Sequence, residues 1–327
     1  VSLERALERC WHPVATVDEL AAVAPRPLAV TLLGRRLAVA IVGERPMAVP
    51  DRCPHRSTRL SIGTVGVDGL RCAYHGWRFE PGGACVEIPA MPEAPIPGRA
   101  CLESFDAELA YGLLWVRLAA DADSQMPACP AWDHPSYRVL PGAPYTWPTS
   151  APRRVENFVD LAHFAWVHDG SLGRRDEPVP QLPEVRRCGS ELRFEYRPPD
   201  QPVEATAMFG SSRYRMPMPL TVDIDFTLGT GARRRLWMTA SPVDMASCRC
   251  FWLIARDDDV DPANDDEHMR FQALVLAEDE PVVCAQDPPE LPLDPGVEVS
   301  VRTDRISIEY RRWLRELADA AALPERP

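Results

Sequence analysis

The chain has 327 residues, 46% of them hydrophobic and 26% charged, so it can bury a large core and should form about two domains. Its longest apolar runs, such as Leu37 to Val42, fall far short of a membrane span. A net charge of −12, with all 36 basic residues arginine, argues against a nucleic-acid partner, whose phosphates need a basic face. The start, Val1-Ser-Leu-Glu-Arg, lacks the basic segment, apolar core and cleavage site of a secretory leader, so a cytoplasmic location is expected.

In chain order, the first third reads as short strands: "RPLAVTLLG", "RRLAVAIVG", "RPMAVP", "GLRCAYHGWRF" and "YGLLWVRL". Each is rich in Val, Leu or aromatic residues and bounded by Gly, Pro or charged turn residues, which predicts an all-β domain, a small sandwich or barrel. A proline-rich crossing from Met126 to Pro152 cannot be regular helix or central strand. It sets the domain division at 1–129 and 130–327. "RRVENFVDLAHFAWVH" then carries Phe158, Leu161, Ala162 and Ala165 at helical spacing.

"ELRFEYRP", "VEATAMF", "PLTVDIDFTLG", "RRLWMTASPV" and "CRCFWLIAR" read as strands of an antiparallel sheet. A helix opened by acidic residues follows in "DPANDDEHMRFQALVLAEDEPVVCAQ", and "ISIEYRRWLRELADAA" is an amphipathic C-terminal helix. The second domain is therefore expected to be α+β, a sheet with helices packed against it.

Two clusters of metal-ligating residue types stand out. Cys53, His55, Cys72 and His75 form C-x-H-x16-C-x2-H, two short loops that can converge on one centre. Two thiolates and two imidazoles suit a structural zinc or a Rieske 2Fe-2S cluster. Zinc knuckles more often pair like residues, whereas each loop here brings one Cys and one His, which favours the cluster. Gly63, Gly66, Gly69 and Gly76 permit the tight turns such loops need.

The second cluster is Asp160, His163 and His168, in which two histidines and a carboxylate suit a facial triad for Fe(II). Residues five apart on a regular helix diverge by about 140°. His163 and His168 can therefore share a metal only if the helix is distorted or ends between them. No G-x-S-x-G elbow, G-x4-G-K-[ST] loop or G-x-G-x-x-G fingerprint is present, so reducing equivalents must come from another protein.

"CPHRSTRLSIG" with "CAYHGWRF" resembles the Rieske domain of Rieske non-haem iron oxygenases, and N-x2-D-x2-H-x4-H from Asn157 to His168 resembles the mononuclear-iron motif of the same family. The resemblance covers nearly the whole chain and is nearest the vanillate and dicamba demethylase type. It implies that Cys53 and Cys72 hold one cluster iron and His55 and His75 the other. It further implies that His163, His168 and a late carboxylate hold the mononuclear iron. Asp279 in "LAEDEPVVCAQ" fits that carboxylate, with Glu278 as its competitor.

By the same resemblance Asp160 bridges His75 of a neighbouring subunit to His163, Asn157 sits near the iron, and the chains form a homotrimer. The implied fold of the second domain is helix-grip-like. The implied activity is that of a terminal oxygenase. A separate reductase, directly or through a ferredoxin, passes electrons from NAD(P)H, and O2 is used to hydroxylate or oxidatively O- or N-demethylate a small aromatic or alicyclic molecule. The alternative is a Rieske electron carrier with a degenerate catalytic domain. Candidate pocket walls are Phe158, Met208, Phe209, Trp237, Met238 and Trp252.

Overall fold

Apolar residues crowd onto short runs in the first 120 residues, and such runs can bury both faces only as paired strands. After helix α1 (Ser2–Glu8), strand β1 (His12–Thr16) leads into α2 (Val17–Val23). Strands β2 (Leu28–Leu32), β3 (Arg35–Val42) and β4 (Arg45–Pro50) then form a three-stranded sheet with β3 in the middle. Strands β5 (Thr64–Gly66), β6 (Gly69–Arg71), β7 (Arg78–Phe79) and β8 (Cys85–Glu87) make a four-stranded sheet. Strands β9 (Asp106–Ala110) and β10 (Leu113–Arg117) close a sheet with β1.

These relations come from a computed structural model in which residues 2–120, 124–180, 182–196, 211–258 and 260–322 are described. The chain divides into two units, Leu7–Met126 and Val1–Ala6 with Pro127–Pro327. Among the described residues no helix is long and apolar enough to cross a membrane.

In the second unit β11 (Arg138–Pro141) and β12 (Tyr145–Trp147) both pair with β18 (Cys248–Arg256). The sheet continues through β17 (Arg233–Pro242), β16 (Thr221–Thr227), β15 (Ser212–Met218), β14 (Glu191–Tyr196) and β13 (Arg186–Cys188), antiparallel throughout. The proline-rich crossing thus supplies only short pairings on the outer side of β18, where missing N–H groups are tolerated. Helix α3 (Ala151–Val159) packs on β16, β17 and β18. The one-turn α4 (Phe164–Val167) lies against α5 (Asp265–Val283), and α6 (Arg305–Ala322) packs on α3.

Several elements differ from the sequence expectation: α1 and β1 precede the first expected strand, and "GLRCAYHGWRF" is two strands, β6 and β7, on either side of the Cys72 loop. The run between β1 and β2 is helical at α2. Thr16 accepts from the Glu19 N–H at 3.1 Å while Glu19 accepts from the Thr16 N–H at 2.9 Å, a T-x-x-E capping box that was legible in the sequence. Strand β15 carries arginines and Pro217, so its alternation was masked until β14 and β16 paired with it. The expected strand "VEATAMF" lies outside the described residues.

Candidate metal centres and active site

The two cysteine loops of the first unit share one backbone design. Cys53 N–H donates to Thr58 O at 2.8 Å and Cys53 O accepts from Ser57 N–H at 3.0 Å. Cys72 N–H donates to Trp77 O at 2.8 Å and Cys72 O accepts from Gly76 N–H at 3.0 Å. The fourth residue after each cysteine has a positive φ, 57° at Ser57 and 71° at Gly76. Gly76 meets that demand without strain.

Both loops are braced from outside. Buried Asp51 accepts from the Ser61 N–H and Oγ at 2.7 and 2.9 Å. Arg71 donates to Gly76 O at 2.9 Å while its guanidinium forks onto Glu87.

Cys53 and Cys72 belong to the apolar core with Met47, Val49, Leu70 and Phe79, and burial pushes the Cys53 thiol up to about 11. Such thiols ionise only beside a cation. The imidazoles face outward: His75 is exposed, and His55 stacks on Trp77 at 4.5 Å and meets His75 edge-on at 4.4 Å. His55 Nδ1 is buried without a hydrogen-bond partner. Among the described residues these four donors do not gather within 4.8 Å of one another, as a single zinc would require. A buried thiol pair, an outward imidazole pair and a wider spread fit a two-iron cluster.

In the second unit Ser150 caps α3, and α3 ends at Asp160. Asp160 Oδ1 accepts from the Ala162 N–H at 2.8 Å and turns the chain. His163 then starts α4 and His168 ends it, so the two histidines flank a single turn. That break removes the angular conflict of a five-residue spacing. His163 Nε2 and His168 Nε2 are 3.2 Å apart, and Asp279 Oδ1 lies 3.4 and 3.2 Å from them. Metal bonds of about 2.0–2.2 Å span such a triangle, and all three groups are largely withdrawn from water.

Each second ring nitrogen has a carboxylate near it, hydrogen-bonded at His168 and at ion-pair distance without a hydrogen bond at His163. His168 Nδ1 donates to Glu278 Oε2 at 2.8 Å, which leaves Nε2 as the free lone pair. Ser171 Oγ also donates to Glu278, at 2.7 Å. His163 Nδ1 lies 3.4 Å from Asp160 Oδ2. Burial pushes His163 down, but Asp160 and Asp279 outweigh it and bring it up to about 9. Burial would raise Asp279, yet the two imidazoles and Arg154 hold it well below the usual carboxylate range. The arrangement is prepared for a cation.

A cavity of about 160 Å³ opens onto His163, His168 and Asp279. One wall is a row in register across four strands, Tyr214, Ile224, Leu236 and Ile254. Opposite stand Phe158, Phe164, Phe271 and Val275, with Asn157 and Gln272 as polar groups. Its arginines are neutralised, Arg234 by Asp258 at 2.9 Å, Arg235 by Asp223 at 2.9 Å and Arg256 by Asp265 at 2.8 Å.

Phe158 lines this cavity; Trp237, Met238 and Trp252 do not. Trp237 pairs with Asp223 on the opposite sheet face, its indole donating to Ala128 O at 3.2 Å. Met238 pairs with Trp252 two residues along from the cavity row, and the Trp252 ring lies against Gly142, whose place has no room for a Cβ. Met208 and Phe209 lie outside the described residues. The sequence reading missed Tyr214, Ile224 and Leu236 because strand parity depends on pairing register, and Gln272 because the packing of α5 decides which side of that helix faces the cavity.

A β unit with paired Cys/His loops followed in one chain by two histidines and a carboxylate beneath an antiparallel sheet is the donor arrangement of a two-centre oxidoreductase. Residues 10–106 match the Rieske [2Fe-2S] domain and residues 147–320 the vanillate O-demethylase oxygenase C-terminal domain. The chain is 40% identical to methylxanthine N1-demethylase NdmA and 42% identical to methylxanthine N3-demethylase NdmB, both of Pseudomonas putida, in each case over 96% of this chain and 90% of the relative. The structure of P. putida NdmA with caffeine superposes with a TM-score of 0.91 at 39% identity, over 98% of this chain and 93% of that one. Dicamba monooxygenase bound to dicamba shares the fold at 23% identity, with a TM-score of 0.81 over 97% and 98% of the two chains. The chain belongs to the Rieske non-haem iron oxygenases of the vanillate O-demethylase type.

Proposed function

We propose that this oxygenase component removes an N-methyl group from a neutral, planar heterocycle of the methylated purine class. The observation that carries the reading is the cavity beside His163, His168 and Asp279. Its row of Tyr214, Ile224, Leu236 and Ile254 and the facing aromatics suit a flat ring system, its arginines are already paired, and Gln272 and Asn157, together with Tyr196, Ser212 and His268, offer polar contacts to orient such a ligand. The two methylxanthine demethylases resembled over nearly their whole length support that class.

The overall reaction takes the N-methyl group, O2, two electrons and two protons to N–CH2OH and water; the N–CH2OH adduct then breaks its C–N bond to give N–H and formaldehyde. Cys53, His55, Cys72 and His75 would hold a 2Fe-2S cluster, and His163, His168 and Asp279 one Fe(II). When bound, these groups supply single-electron storage and oxygen activation. The protein's own work is positional. Phe158, Phe164 and Phe271 hold the ring flat and exclude water, Glu278 fixes the His168 tautomer, and Asp160 orients His163.

Asp160 is about one-third exposed and His75 is exposed, so each can be met from outside its own chain. We read the electron path as running from His75 of one copy to Asp160 of the next in a ring of three. Electrons would come from NAD(P)H through a separate reductase. The setting would be the cytoplasm, where the eight cysteines outside the two cluster loops stay reduced.

The test is turnover with a surrogate reductase and a panel of mono-, di- and trimethylxanthines. Formaldehyde release with product mass lowered by one methylene is expected. A product heavier by one oxygen, with no formaldehyde, would replace demethylation by hydroxylation.

A further inference from the structure

Arg154, on α3, is fully buried beside the second donor set without belonging to it. Its guanidinium carbon lies 4.6 Å from the Trp147 ring centre and 5.0 Å from that of Phe158, so aromatic faces hold the cation out of water. Its Nε donates to Tyr145 Oη at 2.9 Å. Its Nη1 donates to Asn157 Oδ1 and lies 3.5 Å from Asp279 Oδ2. Asn157 Nδ2 in turn donates to Asp279 Oδ1 at 3.2 Å.

A guanidinium can only donate, so the Asn157 oxygen must face Arg154 and its amide N–H must face the carboxylate. The two oxygens of Asp279 are thereby divided. Oδ1 is turned to the imidazoles and Oδ2 to the guanidinium.

We propose that Arg154 is a positioning residue: it keeps Asp279 a one-oxygen donor and turns the Asn157 amide N–H toward the donor set, so that Asn157 is a hydrogen-bond donor beside the centre and not a ligand. This rests on the reading of His163, His168 and Asp279 as iron ligands. Without the guanidinium, Oδ2 is free to swing in as a second donor and the Asn157 amide is free to turn over. The number of ligands rises and an open position closes.

The experiment uses full-length holoenzyme of the wild type, Arg154→Met, Arg154→Lys and Asn157→Leu. Near-infrared magnetic circular dichroism of the Fe(II) reports the ligand number, with iron per chain and cluster absorption measured alongside. Three irons per chain are expected in all four. Arg154→Met should shift the spectrum toward a higher ligand number and lower turnover roughly 10–100-fold with KM little changed. Arg154→Lys, which returns a cationic donor near Asp279, should restore most of the wild-type spectrum.

A wild-type spectrum in Arg154→Met with three irons overturns the proposal. If Arg154→Met does not accumulate, Asn157→Leu decides: retained iron supports a donor role for Asn157, and loss of the third iron overturns it. Two irons in the wild type itself would instead remove the ligand reading beneath.

Discussion

Glu278→Ala separates the two adjacent carboxylates of α5. Glu278 Oε2 accepts from His168 Nδ1 at 2.8 Å and from Ser171 Oγ at 2.7 Å, whereas Asp279 Oδ1 faces both Nε2 atoms. Removing Glu278 leaves the Nδ1–H of His168, a ring only 1% exposed, without its acceptor. The ring then loses its fixed tautomer and orientation. Carboxylate partners of this kind are worth roughly 10–100-fold in metal affinity, or about 1.4–2.7 kcal/mol at 1.36 kcal/mol per decade.

Glu278→Gln keeps an acceptor oxygen and should fall at the weak end of that range. Asp279→Ala removes a donor and should empty the site. The assay is a competitive-chelator titration with Fe(II), using cluster absorption to count folded chains. An emptied site in Glu278→Ala beside a loaded one in Asp279→Ala would show that Glu278 is the ligand and refute the reasoning.

Three further outcomes are expected. Asp160→Asn should keep both metal sites loaded yet lower turnover by about 100-fold or more, the upper end for a group that orients a ligand; single-turnover oxidation of the reduced cluster reads this, and an undiminished rate would sink the bridging role. His163→Ala should lose the mononuclear iron and keep the cluster's colour, checked by iron per chain against visible absorption.

The third concerns pH. His12 is fully buried in the first unit, donating to Leu7 O at 2.7 Å, and burial pushes it down to about 4 from an ordinary 6.5. Above pH 6.5 the ring is neutral folded or unfolded, so the full stability is present. As pH falls from 6.5 toward 4 only the unfolded state takes up the proton. About 3 kcal/mol is lost over that window. Denaturant midpoints followed by cluster absorption should fall less steeply below pH 6.5 in His12→Asn than in the wild type; parallel curves would exclude His12 as the source.

Residue types were the most legible part of the molecule. Metal donors are few in kind and must come in short, closely spaced sets, so Cys53, His55, Cys72 and His75 stood out as two Cys/His pairs, whereas Cys10 and His12 share the C-x-H spacing without a second such pair close by in the chain. The strands β3, β17 and β18 were legible because continuous apolar runs bounded by turns have few other ways to bury themselves. The α2 capping box was present in the letters and passed over. β15 was not legible, since its arginines find acid partners only after the sheet forms: Arg215 pairs with Glu191 of β14 at 2.7 Å.

The sequence by itself determined the donor chemistry, the division into a β unit and an α+β unit, and the order of the two sites along the chain. Tertiary structure decided the rest. Whether His163 and His168 could meet depended on α3 stopping at Asp160, and which neighbouring carboxylate faced the imidazoles depended on the rotation of α5. Which aromatics lined the cavity depended on a register that set Leu236 toward it and Trp237 away from it. Each is a matter of which side of an element faces inward, and packing between residues far apart in the chain settles that. Arg154 shows the same limit: nothing near it in sequence announces that a carboxylate 125 positions later will come to rest against its guanidinium.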